Sequence, residues 1–157
     1  MTRYHPSSGP WGIDYPQGWQ VHESPERGTV LFFKDDPEEG SAFVLMPYVP
    51  VRGEMGAPQV LDAIAQSIRQ HYPDFQVRVG GVRDMSGPAA AMQLLDGEAS
   101  WTGARQQGMR GALVVMAFST RGSGYTTFVF MGGQAPTAAY DELRPVYVKM
   151  MQSFSGQ

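Results

Sequence analysis

A chain of 157 residues, 42% hydrophobic and 17% charged, can bury a core of its own, because a domain of about 150 residues removes roughly 70% of its unfolded surface from water. A formal charge of −3, with its arginines scattered along the chain, argues against a nucleic-acid or anionic-membrane surface, both of which need clustered cations. The longest apolar run, Ala112 to Phe118, falls far short of the ~20 residues that span a bilayer, and the absence of cysteine removes disulfides, thiolate metal sites and cysteine nucleophiles.

Residues 1–10 are turn-rich and read as a loosely held arm on a single domain that runs from 1 to 157. Two short strands follow, Trp11 to Tyr15 and Trp19 to Glu23. The Pro16-Gln17-Gly18 reversal between them suits an opening hairpin. Thr29 to Lys34 and Ser41 to Val49 are the next strands, joined by the acidic loop Asp35-Asp36-Pro37-Glu38-Glu39-Gly40. The second is apolar on both faces, with Phe43 and Leu45 alternating against Val44 and Met46, which marks an interior strand.

From Pro58 to Tyr72 the period changes. Leu61, Ile64, Ile68 and Tyr72 recur at helical spacing, and Pro73 stops the run. A strand from Phe75 to Arg83 follows, with Gly80-Gly81 as a bulge. Strands over Ala89 to Trp101, Met109 to Ser119 and Tyr125 to Gly132 make a meander. Its first turn lies either at Asp96-Gly97 or at Gly103 to Gly108, and the longer hairpin is favoured because it gives the strand from Met109 a partner of comparable length. A final helix from Thr137 to Phe154 carries a seam of Tyr140, Leu143, Tyr147, Met150 and Phe154, with Thr137 as its cap and Pro145 inside it. The expected class is therefore α+β, a single antiparallel sheet of about six to eight strands with two packed helices in an α/β/α sandwich. The seams face the sheet, and Trp19 is expected to be buried beside the last helix.

Catalytic motifs fail one by one. His22-Glu23-Ser24-Pro25-Glu26 begins like a zinc-protease helix but has Glu26 where the second histidine belongs, and His5 and His71 lie far off in sequence. Gly103-x4-Gly108 has the glycine spacing of a phosphate loop, yet Met109-Arg110 follows where Lys and Ser/Thr would grip phosphate and magnesium. Asp35, Asp36, Glu38 and Glu39 form the one carboxylate cluster and are weak candidates for a cation. Their spacing lacks the alternating ligands and glycine of a calcium loop, and a solvated hairpin tip is the plainer reading. No catalytic residue, metal or cofactor is expected. The candidate partner-binding residues are Trp101, Arg105 and Arg110, because Trp and Arg are enriched at interface hot spots and Gly103 and Gly108 flank this turn. Trp101 reads equally as packing that covers the sheet end.

The opening Gly12-Ile13-Asp14-Tyr15-Pro16-Gln17-Gly18-Trp19 and the closing Ser153-Phe154, with this order of elements between them, resemble the PsbP/Mog1/DcrB-like superfamily. Members often open on Tyr-Pro-x-x-Trp and end their last helix in Ser-Phe. The resemblance implies the fold and an accessory or binding role, such as photosystem assembly or small-GTPase regulation, and it carries over no partner-binding residue. The chain departs from the superfamily's bacterial lipoproteins in showing neither a leader nor its cysteine. Cytoplasmic location is the default expectation, with a secreted or envelope location if a leader was removed. The leading expectation is a non-catalytic accessory or protein-binding domain whose partner is another protein, with no membrane insertion. The alternative is a small-ligand-binding carrier or enzyme with a pocket between sheet and helices.

Overall fold

In the computed structural model, which describes residues 1–6 and 9–155, the elements in chain order are β1 (Thr2–Tyr4), β2 (Ile13–Tyr15), β3 (Gln20–Ser24), β4 (Thr29–Phe33), β5 (Ala42–Arg52), α1 (Ala57–Arg69), β6 (Gln76–Asp84), β7 (Ala90–Thr102), β8 (Gly108–Thr120), β9 (Tyr125–Pro136) and α2 (Thr137–Ser153). Seven strands form one antiparallel sheet in the order β3-β4-β5-β9-β8-β7-β6, and β1 pairs with β2 separately. Helix α1 lies on one face over β6 to β8, and α2 lies on the other over β8 and β9.

Period-2 alternation splits the core into two layers. Val60, Leu61 and Ala65 of α1 pack on Leu95, Leu113, Val115, Phe128 and Phe130. On the opposite face Tyr147 and Met150 of α2 pack with Phe32, Phe43, Leu45, Val129 and Met131. Strand β5 supplies both layers, which is why both of its faces are apolar, and it sits between β4 and β9. The longer hairpin forms, with Trp101 opposite Met109 and Ala90 opposite Thr120, and the register of β6 shifts between Val79 and Gly81 as the glycine pair predicts. At the start of α1 two N–H groups find side-chain partners: within the first turn Gln59 accepts from Gly56 N (2.9 Å), and from outside the helix Gln93 of β7 accepts from Ala57 N (2.9 Å).

Four local expectations are corrected. Trp11 to Tyr15 and Trp19 to Glu23 do not form a hairpin. The reversal is present, with Trp19 N donating to Pro16 O (3.2 Å), but it hands the chain from β2 to β3, which pairs with β4 instead. Thr2–Tyr4, within the expected loose arm, form β1. Arg3 donates to Asp14 (3.2 Å), to Ser153 O (2.7 Å) and to the Ser155 hydroxyl (2.6 Å), so long-range contacts hold this segment; residues 7–8 of the arm lie outside the described residues. Thr137 does not cap α2, because Pro136 occupies the cap position and no side-chain cap bond forms.

The fourth concerns the tryptophans. Trp11, 6% exposed, is the buried one and packs against Phe154 at 5.9 Å between centroids. Trp19 does lie beside α2, edge-on to Tyr147 at 6.2 Å, but it is only half-buried. Full burial would set the cost of Trp19→Ala at about 3 to 5 kcal/mol. The partial contact lowers the expected loss to about 2 kcal/mol in a denaturant titration.

Candidate functional site

One end of the sheet is built from three segments that are distant in sequence: the β4–β5 loop, the end of α1 with the start of β6, and the β7–β8 turn. Asp35 and Asp36 organise the first locally. Asp35 Oδ1 accepts from the N–H of Asp36 (2.7 Å) and of Ser41 (3.2 Å), and Asp36 Oδ1 accepts from Glu38 N (3.0 Å). These are the side-chain-to-backbone bonds that Asp makes in turns. Gln134 of β9 donates to Glu38 O (2.8 Å) and ties the loop to the sheet.

Glu39 joins the three segments. Its residue is 7% exposed, and its carboxylate accepts from the Tyr72 hydroxyl (2.9 Å), the Arg105 backbone N–H (3.3 Å) and Gln107 Nε2 (3.2 Å). A buried carboxylate persists only when donors replace its hydration, and here they come from two segments, residue 72 and the 103–107 turn, that are distant in sequence from Glu39. Burial, then the bond to Glu39, pushes the Tyr72 hydroxyl up to about 12, so it stays a donor at physiological pH. The tightness of the joint explains Gly103, where a Cβ would stand 2.5 Å from Glu39 Oε1.

The turn that Glu39 braces carries Trp101 and Arg105. Trp101 lies 5.4 Å from Phe75 and 6.4 Å from Tyr72 between ring centroids, and is half-buried. Arg105 reaches Asp36 at 3.1 Å with its side chain 73% exposed. The backbone N–H of Glu38 and the Arg105 guanidinium hold the Asp36 carboxyl below the usual carboxylate range. Asp74 clasps the other side of the hairpin, accepting from Thr102 N (3.1 Å) and the Thr102 hydroxyl (2.7 Å).

Arg110 does not join this group. It is adjacent to Met109, the partner of Trp101, so it projects from the opposite face. There it stacks on Tyr140 at 4.6 Å and faces Glu98 (4.0 Å) and Asp141 (3.6 Å). Glu98 also accepts from Arg144 Nε (2.7 Å) and the Tyr140 hydroxyl (2.7 Å). Arg144 and Tyr140 hold its carboxyl below the usual range. A carboxylate with a depressed folded-state pKa contributes stability that is present above its unfolded value and is lost as pH falls through the folded one. Glu98→Gln should therefore flatten the acid side of the stability curve below about pH 4.5 and leave its slope near neutrality unchanged, as thermal melts across that range would show.

The structure thus brings Trp101 and Arg105 together with the acidic loop and leaves Arg110 apart. Asp35, Asp36 and Glu39 spend their oxygens on loop and inter-loop hydrogen bonds, and among the described residues no group of three His, Asp or Glu side chains is disposed to hold a metal. No helix among the described residues is long and apolar enough to cross a membrane. A separate groove of about 440 Å³ opens between α1 and β5, lined by Met46, Met55, Ile64, Ile68, Phe128 and Phe130 among others, with the Ser67 hydroxyl as its one polar side chain.

The chain matches no protein-family model and no curated protein sequence. Solved structures do match. LpqN of Mycobacterium tuberculosis, described as involved in cell envelope biogenesis, superposes with a TM-score of 0.57 at 16% identity, over 98% of this chain and 88% of its own. The cyanobacterial PsbP of Synechocystis sp. PCC 6803 gives 0.56 at 11% identity, over 99% and 92%. The Ran-binding protein Mog1p of Saccharomyces cerevisiae gives 0.50 at 7% identity, over 99% and 94%. Identities this low establish architecture and nothing finer: the chain has the PsbP/Mog1 fold that its Tyr-Pro-x-x-Trp opening and Ser-Phe ending imply.

Proposed function

We propose that this chain is a non-catalytic accessory domain that binds another protein through the sheet end built around Glu39, with Trp101 and Arg105 at its centre. The observation that supports this reading is the brace itself. A buried carboxylate holds a turn in place while the arginine on that turn stays 73% exposed, so the backbone that presents the exposed group is fixed before any partner arrives. Pre-ordering lowers the entropy lost on association, and Trp and Arg are among the residue types most enriched at binding hot spots. The shared fold with a Ran-binding protein agrees with a protein partner by analogy. Placing a photo-crosslinking amino acid at position 105 in the native host tests it. One defined protein adduct should form there and be absent from a control at Glu26 in the β3–β4 turn; identical adduct patterns at the two positions would count against the site.

The groove between α1 and β5 favours a second reading, a carrier for a small apolar molecule. Its volume lies within the range of ligand sites, but the convergent polar groups that orient a ligand or a reaction are missing from its lining. Native mass spectrometry of the purified protein decides: a stoichiometric apolar adduct supports the carrier.

A further inference from the structure

The outer edge of the sheet presents an exposed surface apart from the Trp101 turn. Among the described residues strand β6 pairs only with β7, and eight of its nine residues are exposed, every one but Val77. Val79 and Val82 are 46% and 48% exposed, and Met85 just beyond the strand is 44% exposed. Strand β6 has two chemically distinct faces. Arg78 and Arg83 oppose Glu98 and Leu94, whereas Val79 and Val82 oppose Gly97 and Leu95 on the side of α1. The bulge after Val79 restores this alternation beyond the glycine pair, so both arginines stay on one face and both valines on the other.

The backbone of this edge is available for pairing. Met85 N donates to Met92 O at 2.8 Å, so antiparallel alternation turns the N–H and C=O of Arg83 and Gly81 toward β7 and those of Val82 and Asp84 outward. An incoming strand would find hydrogen-bonding groups at Val82 and Asp84, cations on one face, and on the other the apolar Val79 and Val82 with Asp84 at the far end.

Charge selects the occupant. Arg78 is 86% exposed and 3.8 Å from Glu98, and Arg83 makes no ion pair among the described residues. Asp96 lies against Gly80 and Gly81, but it and Glu98 stand on β7, one strand further in. On the face that Arg78 and Arg83 share, the nearest cross-strand neighbours of an added strand are the arginines themselves, since the carboxylate of Asp84, opposite Gln93, lies on the valine face; cross-strand pairs favour opposite charges. A second copy of the chain docking antiparallel through β6 would crowd four arginines onto one face of a short ribbon, which like-charge pairing disfavours.

We propose that β6 accepts an extended acidic peptide as an eighth strand, with carboxylates facing Arg78 and Arg83 and β-branched side chains covering Val79 and Val82. The bulge, a device that blunts edges against indiscriminate pairing, confines the match to strands of this pattern.

Fluorescence anisotropy with the intact protein tests the proposal, using three eight-residue probes: alternating Glu and Val, alternating Lys and Val, and a scrambled Glu/Val peptide of the same composition. The alternating Glu/Val probe should bind at least tenfold more tightly than the other two, and it should slow amide exchange at Val82 and Asp84. The double variant R78E/R83E should reverse the preference toward Lys/Val, and Val82→Pro, which deletes an outward N–H, should weaken Glu/Val binding. Equal affinity for the acidic and basic probes, no binding, or binding without protection at Val82 and Asp84 would overturn it. So would a concentration-dependent dimer, seen by sedimentation, that is lost in R78E/R83E. None of these outcomes bears on crosslinking at position 105, so the two surfaces stand or fall separately.

Discussion

Gly133→Ala should destabilise the fold by about 3 kcal/mol or more, at the upper end of what overpacking costs. Gly133 lies in β9 beneath the Tyr147 ring of α2, and a Cβ there would collide with ring atoms on both sides of Cγ. Tyr147 cannot swing aside. It is fully buried, donates its hydroxyl to Gln134 O, and packs against Phe43 at 6.0 Å and Trp19 at 6.2 Å. Relief requires lifting α2 from the sheet, which would loosen the layer that also holds Met150 and Ile13. Gly132→Ala is the control. Its Cβ would approach the outer edge of Phe130 at 3.1 Å and Val44 at an ordinary 3.7 Å, on the opposite face, and a cost of about 1 kcal/mol is expected. Urea titrations of the two variants check the difference; equal losses would show that Tyr147 does not set the spacing of helix and sheet.

Glu39→Ala should cost about 3 kcal/mol, because it leaves the Tyr72 hydroxyl, the Arg105 N–H and the Gln107 amide without their shared acceptor, and hydrogen bonds to a charged group are worth about 1.5 to 3 kcal/mol each before solvent compensates some of them. Glu39→Gln keeps one acceptor oxygen and should lose about half as much. Hydrogen exchange gives a finer check. Amides of Gln106 and Gln107 should exchange faster in Glu39→Ala while those at the centre of β8 stay protected, since only the turn loses its brace. A uniform rise in exchange would mean that Glu39 supports the whole fold and has no special bearing on the turn.

What the sequence discloses divides along the range of the interactions involved. Helix α1 is legible because Leu61, Ile64 and Ile68 report their shared face within a few turns, although it stops at Arg69, three residues short of the Tyr72 end that Pro73 suggests. The β6 bulge is legible because Gly80-Gly81 is a local signal, and the interior place of β5 because both of its faces are apolar. Strand β1 is not legible: three residues have no period to read, and Thr2–Tyr4 are strand through pairing with Ile13–Tyr15, supported by Arg3, which reaches Ser153 and Ser155 at the far end of the chain.

The site follows the same rule. Four carboxylates within five residues read as a solvated tip, and Asp35 and Asp36 serve that tip. Glu39 turns inward because Tyr72 and the 103–107 turn offer it donors, from positions that no local pattern connects to it. Trp101 was visible as an aromatic residue at a strand end, but its neighbours Tyr72 and Phe75 come from another part of the chain. Arg105 and Arg110 are five residues apart and look like one cluster, yet the alternation of β8 sends Arg110 to Glu98 on the other face.

The most direct test of the binding surface is calorimetry with the protein captured through position 105, comparing wild type, Arg105→Ala and Trp101→Ala after thermal melts confirm folding. Trp101→Ala also removes packing on Phe75, so Arg105→Ala, which touches only the exposed pair with Asp36, is the cleaner probe. Each variant should lose about 2 kcal/mol or more of binding free energy, the size that marks an interface anchor. Unchanged affinity in both folded variants would contradict the account and remove this end of the sheet from the binding surface.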